Sequence, residues 1–97
     1  MRNTFENKKQ FLKTLSVLRK QRKMGAKRVG IFGSRARGDH RPESDIDIFS
    51  EIDDKGLLGL EGKRIGDIHL TSARPDNNES GTKLIRRTAR WLWIKNK

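Results

Sequence analysis

Cysteine is absent from the sequence, which excludes disulfide bonds and metal sites built on thiolates. This absence is consistent with a cytoplasmic protein, and we expect that location. Long apolar stretches are missing as well, since the longest uninterrupted run is only a few residues. We therefore expect neither a membrane span nor a signal peptide.

Apolar residues are scarce, at 32% of the 97 residues, whereas charged residues make up 36%. Such a composition makes intrinsic disorder the first alternative to consider. The apolar residues are nevertheless clustered and periodic, which favours a folded chain. At this length we expect residues 1–97 to form a single small domain with one modest core.

Acidic residues are nearly missing from both ends of the chain. Residues 1–28 hold ten Lys or Arg and one acid, and residues 81–97 hold six Lys or Arg and no acid. Residues 39–54 hold seven acids and one Arg, although the formal net charge of the chain is +11. Basic ends favour solubility, or contact with RNA phosphates through the basic helices. Basic ends around an acidic centre also suit a site that binds a cation and then a polyphosphate.

Hydrophobic periodicity predicts a helix towards each end of the chain. Residues 4–24 carry an apolar stripe on one helix face, formed by Phe11, Leu12, Leu15 and Leu18. Residues 82–97 carry a second stripe, formed by Leu84, Ile85, Thr88, Ala89 and Leu92. We expect the second segment to be a terminal helix.

Three strands are predicted between these helices. Residues 27–34, KRVGIFGS, predict a buried strand that ends in a Gly-Ser turn. Residues 44–52, SDIDIFSEI, alternate as a strand with one face in the core does. Residues 64–72, RIGDIHLTS, are the third strand, with Asp67 and His69 on the same face.

The glycine-containing segment 53–63 predicts a turn or a brief helical piece. Because this link between the second and third strands is short, it favours their antiparallel pairing. We therefore expect an α/β (α+β) fold, with a small mixed β-sheet of about three strands and flanking N- and C-terminal helices.

Asp45 and Asp47 are the first candidates for chemistry. Their carboxylates lie two residues apart on one face of a strand, where they repel each other. A proton, an arginine or a divalent cation would relieve this repulsion, and Mg²⁺ suits a site of oxygen ligands that also receives phosphate. The alternative is that the pair merely belongs to the solvent face of an amphipathic strand.

The Gly33-Ser34 turn is separated from Asp45 by ten residues. Glycine allows a tight turn and lets backbone N–H groups approach a phosphate, and serine adds a hydroxyl. Arg35 and Arg37 follow, and their guanidinium groups suit terminal phosphates. Ten residues allow the chain to return as the neighbouring strand, so we expect the turn and the carboxylates to meet at one edge of the sheet.

Gly33-Ser34 followed by Asp45-Ile46-Asp47 resembles the signature of the polymerase-β-type nucleotidyltransferase superfamily. The longer stretch GSRARGDHRPESDIDI is similar to the minimal nucleotidyltransferases, small proteins often paired with HEPN-domain partners in toxin–antitoxin modules. The close match covers residues 29–49. The resemblance implies the nucleotidyltransferase fold and the transfer of a nucleoside monophosphate, with ATP or another NTP as donor, to a protein or RNA hydroxyl.

The resemblance also implies roles for individual residues. Asp45 and Asp47 would bind Mg²⁺, with two ions expected, and a third carboxylate would complete the catalytic and metal site. We assign the third carboxylate to Asp67 rather than to its rivals Glu51, Asp53 and Asp54. The expected nucleotide-binding residues are Gly33, Ser34, Arg35, Arg37 and Ser44.

Nineteen residues separate Asp47 from Asp67, a shorter segment than members of the family generally have. This departure keeps open the hypothesis of an antitoxin-like subunit that masks a HEPN-type partner with little catalysis. The net charge of +11 keeps open a third hypothesis, a basic RNA-binding protein on a relic nucleotidyltransferase fold. A chain this small should also bury too little of a triphosphate to specify the base. We therefore expect a partner protein or a second copy of the chain to complete the site.

Overall fold

The computed structural model describes residues 4–53 and 63–95 of the chain. The helices and strands of the described residues are, in chain order, α1 Lys8–Lys23, β1 Arg28–Phe32, α2 Ser34–Arg37, β2 Ile46–Glu51, β3 Lys63–Ile65, β4 Ile68–Ala73, α3 Ser80–Thr88 and β5 Arg90–Ile94. Most of the link for which a turn or brief helical piece is predicted lies outside the described residues. Among the described helices, none has the length and apolar character needed to cross a membrane.

The strands form one mixed sheet in the order β3-β4-β2-β1-β5. β1 is antiparallel to both of its neighbours, β2 and β5, and β3 is antiparallel to β4. β2 and β4 are parallel. The predicted fold class is confirmed, with helices flanking a small mixed sheet, but the expected count of about three strands is wrong because the described residues form five.

The pairing after β2 corrects the sequence prediction in two ways. Residues 64–72 are not one strand, because β3 ends at Ile65 and a turn at Gly66 and Asp67 reverses the chain into β4. Gly66 has a φ of +59°, a left-handed conformation that suits glycine. Since β3 and β4 run in opposite directions, β4 enters the sheet parallel to β2 rather than antiparallel to it.

Helix α1 begins at Lys8 rather than at the predicted Thr4. Its N-cap is Asn7, whose side-chain oxygen accepts a hydrogen bond from the N–H of Gln10 at 2.9 Å. The buried residues of α1 are Thr14, Val17 and Gln21. Phe11 of the predicted stripe stays about half exposed, so the helix buries a face that is rotated away from the stripe.

The hydrophobic core lies between α1 and one face of the sheet. Its buried aliphatic side chains include Val17, Val29, Ile31, Ile46, Ile48, Ile68 and Leu70. Burying a side chain of this size contributes about 1.5–3 kcal/mol. Because side chains alternate along a strand, this packing turns Phe32, Asp47, Phe49 and His69 towards the opposite face of the sheet.

The predicted terminal helix over residues 82–97 is wrong in its second half. α3 ends at Thr88, and the chain continues as β5, which pairs with β1 at the edge of the sheet. The sequence RWLWI of β5 is rich in residues that favour strands. A register shift between β1 and β5 places Trp93 against the core, while Trp91 packs edge-on against Phe49 on the other face.

Candidate active site

The turn after β1 depends on Gly33. Its φ of +74° and ψ of −150° lie in a region that residues with a side chain rarely adopt. A Cβ at this position would lie 2.7 Å from Oδ2 of Asp47, which is closer than real side-chain carbons approach. The Gly33 carbonyl accepts hydrogen bonds from the N–H groups of Ala36 and Arg37, both at 3.1 Å. Glycine is therefore required for the backbone conformation and also for the close approach to Asp47.

Asp47 lies beside this turn because Phe32 and Asp47 are paired in the register of β1 and β2. Its side chain is 26% exposed, and its Oδ1 lies 3.5 Å from Nδ1 of His69 on the parallel strand β4. Burial raises the pKa of Asp47, His69 lowers it and Asp45 raises it, and the net shift is upward. Asp47 is thus a carboxylate whose negative charge the surrounding residues do not fully compensate.

Asp45, immediately before β2, has a different environment. Its Oδ2 accepts a hydrogen bond from Nη2 of Arg64 at 2.7 Å, and its Oδ1 accepts one from Nη1 at 3.1 Å. The hydrogen bond from Arg64 is the main reason that the pKa of Asp45 lies below its usual range, while partial desolvation acts in the opposite direction. The two neighbouring aspartates therefore have pKa values shifted in opposite directions.

One row of paired residues crosses the sheet at the level of Asp47. Arg64 pairs with His69, His69 with Asp47, and Asp47 with Phe32. Directly paired residues of neighbouring strands place their side chains on the same face, so this row faces away from α1. Arg64 is not among the residues predicted from the sequence, because only the hairpin of β3 and β4 brings it towards Asp45.

Arg35 follows the glycine turn but is directed into the protein, with 1% of its surface exposed. Its guanidinium donates hydrogen bonds to the carbonyl oxygens of Thr4 at 2.8 Å, Ser44 at 2.7 Å and Pro42 at 3.3 Å. These bonds join α2 to the loop that precedes Asp45. In this position Arg35 holds the loop, and its guanidinium is bonded to backbone carbonyl oxygens of the protein.

Ser44 and Arg37 are the other two polar residues of the predicted nucleotide site. The Oγ of Ser44 accepts a hydrogen bond from the N–H of Arg41 at 2.9 Å, which tightens the loop before Asp45. Arg37 is exposed at the end of α2, and its Nε donates to Oδ2 of Asp39 at 3.1 Å. Arg37 therefore keeps a guanidinium at the surface close to the glycine turn, whereas Ser44 stabilises the loop.

Asp67 is not brought together with the other two aspartates. It lies in the turn between β3 and β4, and its Oδ1 is 3.7 Å from Nζ of Lys13 on α1. Among the residues that the structure describes, no group of three His, Cys, Asp or Glu side chains is placed to hold a metal ion. The residue that β4 places beside Asp47 is His69. Gly66, the signal for the turn that removes Asp67 from the strand, is visible in the sequence.

A family model described as a nucleotidyltransferase domain matches residues 8–93, a range that includes the glycine turn, both aspartates, Arg64 and His69. The chain therefore belongs to the nucleotidyltransferase domain family. This membership confirms the superfamily resemblance of the Gly-Ser and Asp-Ile-Asp residues, and it supports nucleotidyl transfer as the general activity. No curated protein and no solved structure matches the chain.

Proposed function

We propose that the chain binds a nucleoside triphosphate with a divalent cation at the Gly33 end of the sheet and transfers a nucleoside monophosphate to a hydroxyl group. The observation that carries the proposal is the close approach of the glycine turn to Asp47, where a Cβ would lie 2.7 Å from the carboxylate. Backbone suited to phosphate and a partly buried carboxylate are therefore adjacent. By resemblance, ATP is the expected donor and a protein or RNA hydroxyl is the expected acceptor.

The residues at this end of the sheet fit a divalent cation in two respects. Asp45 and Asp47 offer carboxylate oxygens, which are the ligands that Mg²⁺ prefers. The pKa of Asp47 is raised chiefly by burial, so its ionised form would gain from a nearby cation. A bound Mg²⁺ would neutralise phosphate charge and make the phosphorus more electrophilic. Asp67 lies in the β3–β4 turn with its carboxylate towards Lys13 of α1, and the described residues form no three-ligand group that includes it. We therefore propose Asp45 and Asp47 as the carboxylate ligands, whether one ion binds or the two that the resemblance implies.

The other residues would divide the work of binding and orientation. The backbone of Gly33 and the hydroxyl of Ser34 would bind phosphate oxygens, and the exposed guanidinium of Arg37 would reach the terminal phosphates. Arg35 would act through the loop that it holds, since its guanidinium is already bonded to carbonyl oxygens. Transfer joins the acceptor oxygen to the α-phosphorus, breaks the bond to pyrophosphate and releases the hydroxyl proton.

The test is label transfer by the purified chain. The chain is incubated with Mg²⁺, an α-labelled NTP and either RNA or protein acceptors, and label is expected on an acceptor. Asp45→Asn and Asp47→Asn should abolish the transfer. Asp76→Asn is the matched control, since Asp76 is an exposed aspartate of the turn before α3. Transfer that survives in Asp47→Asn, or a wild-type chain that binds no Mg²⁺–NTP, would contradict the proposal.

RNA binding is a second candidate function, and a basic cavity at the opposite end of β1 supports it. The cavity has a volume of about 460 Å³, and its charged lining residues are Arg19, Arg22, Lys23 and Lys95. None of the described residues that line it is acidic. The Arg22 guanidinium lies over the ring of Trp93, 4.9 Å from its centroid. Cations beside an aromatic ring suit the phosphates and bases of single-stranded RNA.

Fluorescence anisotropy with a labelled single-stranded RNA tests this second candidate. A charge reversal that combines Arg22→Glu with Lys23→Glu should weaken binding and reduce its salt dependence, because each lost phosphate contact lowers the slope against salt by about 0.7. Asp45→Asn should bind RNA as well as the wild-type chain. RNA affinity that the charge reversal leaves unchanged would reject the cavity as the binding site.

A HEPN-type protein or a second copy of the chain is the partner expected from the resemblance. An apolar groove of about 170 Å³ supports a protein contact, and its lining residues are Phe5, Phe11, Thr14, Leu15, Leu18 and Leu92. Analytical ultracentrifugation distinguishes self-association from a monomer, and a monomer that binds ATP tightly by itself would count against a partner-completed site. We also propose that residues 1–97 form a single domain and that the protein is cytoplasmic.

A further inference from the structure

Both carboxylate oxygens of Asp45 are engaged by one guanidinium. Nη2 of Arg64 lies 2.7 Å from Oδ2, and Nη1 lies 3.1 Å from Oδ1. Nη1 also donates to the carbonyl oxygen of Gly66 at 3.4 Å, which keeps the guanidinium at the β3–β4 turn. An arginine that binds a carboxylate through two parallel bonds satisfies both the charge and the geometry of that carboxylate. In this arrangement Asp45 already has a cation.

Asp47 is not neutralised in this way. Its carboxylate contacts a histidine instead of a guanidinium, with Oδ1 at 3.5 Å from Nδ1 of His69. The two proposed metal ligands therefore start from different states: a metal ion approaching Asp47 meets a carboxylate with only a histidine contact at 3.5 Å, and one approaching Asp45 meets a carboxylate held by two bonds from Arg64.

The Arg64–Asp45 pair lies where it can open. The two side chains are 55% and 44% exposed, and Arg64 belongs to the three-residue strand β3 at the edge of the sheet. Exposed ion pairs are weakly stabilising, since water can take over the bonds of both partners. A divalent cation carries twice the charge of a guanidinium and approaches carboxylate oxygens more closely, at about 2.0–2.1 Å for Mg²⁺. Such a cation can therefore displace the guanidinium, but the two compete for the carboxylate of Asp45.

We propose that Arg64 is a built-in competitor for the divalent cation, which holds Asp45 until a metal ion displaces it. The inference rests on the proposed function in one respect, namely that Asp45 is a metal ligand. Its consequence is that the chain binds a bare cation more weakly than its two aspartates alone would. Removing the Arg64 guanidinium should therefore tighten metal binding, although Arg64 touches no metal.

Binding of Mn²⁺ alone, followed by the electron paramagnetic resonance signal of the free ion, tests this inference without any nucleotide. Arg64→Gln should bind Mn²⁺ about two- to fivefold more tightly than the wild-type chain, as expected for loss of an exposed competing pair. Arg64→Lys keeps the charge but loses the two-bond geometry, so its affinity should fall between the two. Arg41→Gln is the matched control, because exposed Arg41 lies in the loop before Asp45 and its replacement changes the net charge equally.

Equal Mn²⁺ affinities in Arg64→Gln and Arg41→Gln would overturn the inference, as would a gain in Arg64→Gln that persists when Asp45 is also changed to Asn. Absence of Mn²⁺ binding in the wild type and in every variant would overturn it as well. Tighter binding in Arg64→Gln by a chain that transfers no nucleotide would support the competition and reject the proposed function. The two proposals therefore fail separately.

Discussion

Strand β2 has a carboxylate–guanidinium contact near each end, and the two contacts differ in burial. At its last residue, Glu51, the side chain is 7% exposed and accepts hydrogen bonds from Arg28 at 2.9 Å and from Arg86. Just before the strand begins, Asp45 is 44% exposed and pairs with Arg64. Water replaces the bonds of an exposed pair at little cost, whereas a buried charge that loses its partner is left unsatisfied. The same two chemical groups are thus structural at one end and exchangeable at the other.

The buried contact also joins elements that are distant in the chain. Besides Glu51, Arg86 of α3 bonds the carbonyl oxygens of Arg74, Pro75 and Asn77 in the turn that follows β4. One guanidinium therefore connects α3, this turn and the end of β2. The exposed contact involves only the edge hairpin and Asp45, so its loss should leave the rest of the fold intact.

The largest expected effect is a loss of activity at Asp47, which lies on the same face of β2 as the structural Glu51. Asp47→Asn should lower the rate of nucleotidyl transfer at least about a hundredfold, because it removes the charge that would hold the cation. Its stability at pH 7 should not fall. Because the pKa of Asp47 is raised in the folded state, this carboxyl group contributes stability below its unfolded pKa. That contribution is lost as the pH rises through the folded pKa, so none of it remains to be removed at pH 7. Single-turnover transfer and thermal unfolding measure the two quantities, and a midpoint that falls together with the activity would make Asp47 structural.

The next effect concerns stability alone. Glu51→Gln should destabilise the chain by about 2 kcal/mol at pH 7, because it removes the charge from two hydrogen bonds to guanidinium groups in a buried site. Urea unfolding at constant pH measures this change. Asp45→Asn is the control of the same chemistry at the exposed end, and it should unfold at nearly the wild-type urea concentration. Equal destabilisation by the two substitutions would show that burial does not distinguish the two ends.

The pH dependence of Glu51→Gln sharpens this prediction. Burial raises the pKa of Glu51, but the hydrogen bonds from Arg28 and Arg86 outweigh it, so that the folded pKa lies below the ordinary value. Glu51 therefore contributes stability above its unfolded pKa of about 4.3, and this contribution is lost as the pH falls through the folded pKa. The stability difference between the wild type and Glu51→Gln should shrink as the pH is lowered below about 4. A constant difference down to pH about 3 would mean that the glutamate charge is not what stabilises the contact.

A loss of stability of similar size is expected at the glycine turn. Gly33→Ala should destabilise the chain by about 1–3 kcal/mol, since the residue adopts a backbone conformation nearly restricted to glycine, and should also displace the Asp47 carboxylate. Gly38→Ala is the matched control: its φ is +85°, but no atom of the described residues other than its chain neighbours lies within 4 Å of the added Cβ. Both variants should unfold more easily, and only Gly33→Ala should lose transfer activity. Equal activity in the two variants would show that the contact with Asp47 is not functional.

The residues that the sequence predicts well are those whose signals are local. The strand before Gly33, the turn itself and the alternation around Asp47 all lie within a short segment, where turn chemistry and a period of two residues are sufficient. The face of β2 that carries Asp47 follows from that alternation. The family resemblance, which the matching family model confirms at the level of the superfamily, rests on the same local residues.

The residues around the two aspartates could not be predicted in the same way, because they depend on pairing between distant strands. Asp67 and His69 share a face only if both belong to one strand. The turn at Gly66 and Asp67 leaves Asp67 outside β4, whereas His69 is in β4 and pairs with Asp47. Arg64 reaches Asp45 only through the short hairpin of β3 and β4. The segment RWLWI fits an apolar helix stripe and a strand equally well. It forms a strand because it pairs with β1, a contact that its local sequence does not reveal.

The smallest expected effect is the most direct test of the difference between the two ends of β2. Arg64→Gln should change the thermal unfolding midpoint by less than about 2 °C, because an exposed ion pair contributes little to stability. Arg86→Gln should lower the midpoint by about 10 °C, since it leaves Glu51 buried with one partner fewer and releases the turn before α3. If Arg64→Gln lowered the midpoint as much as Arg86→Gln, the Arg64–Asp45 contact would be structural. A metal ion could then displace Arg64 only by destabilising the fold, so the pair would not be the exchangeable contact that the proposed competition requires.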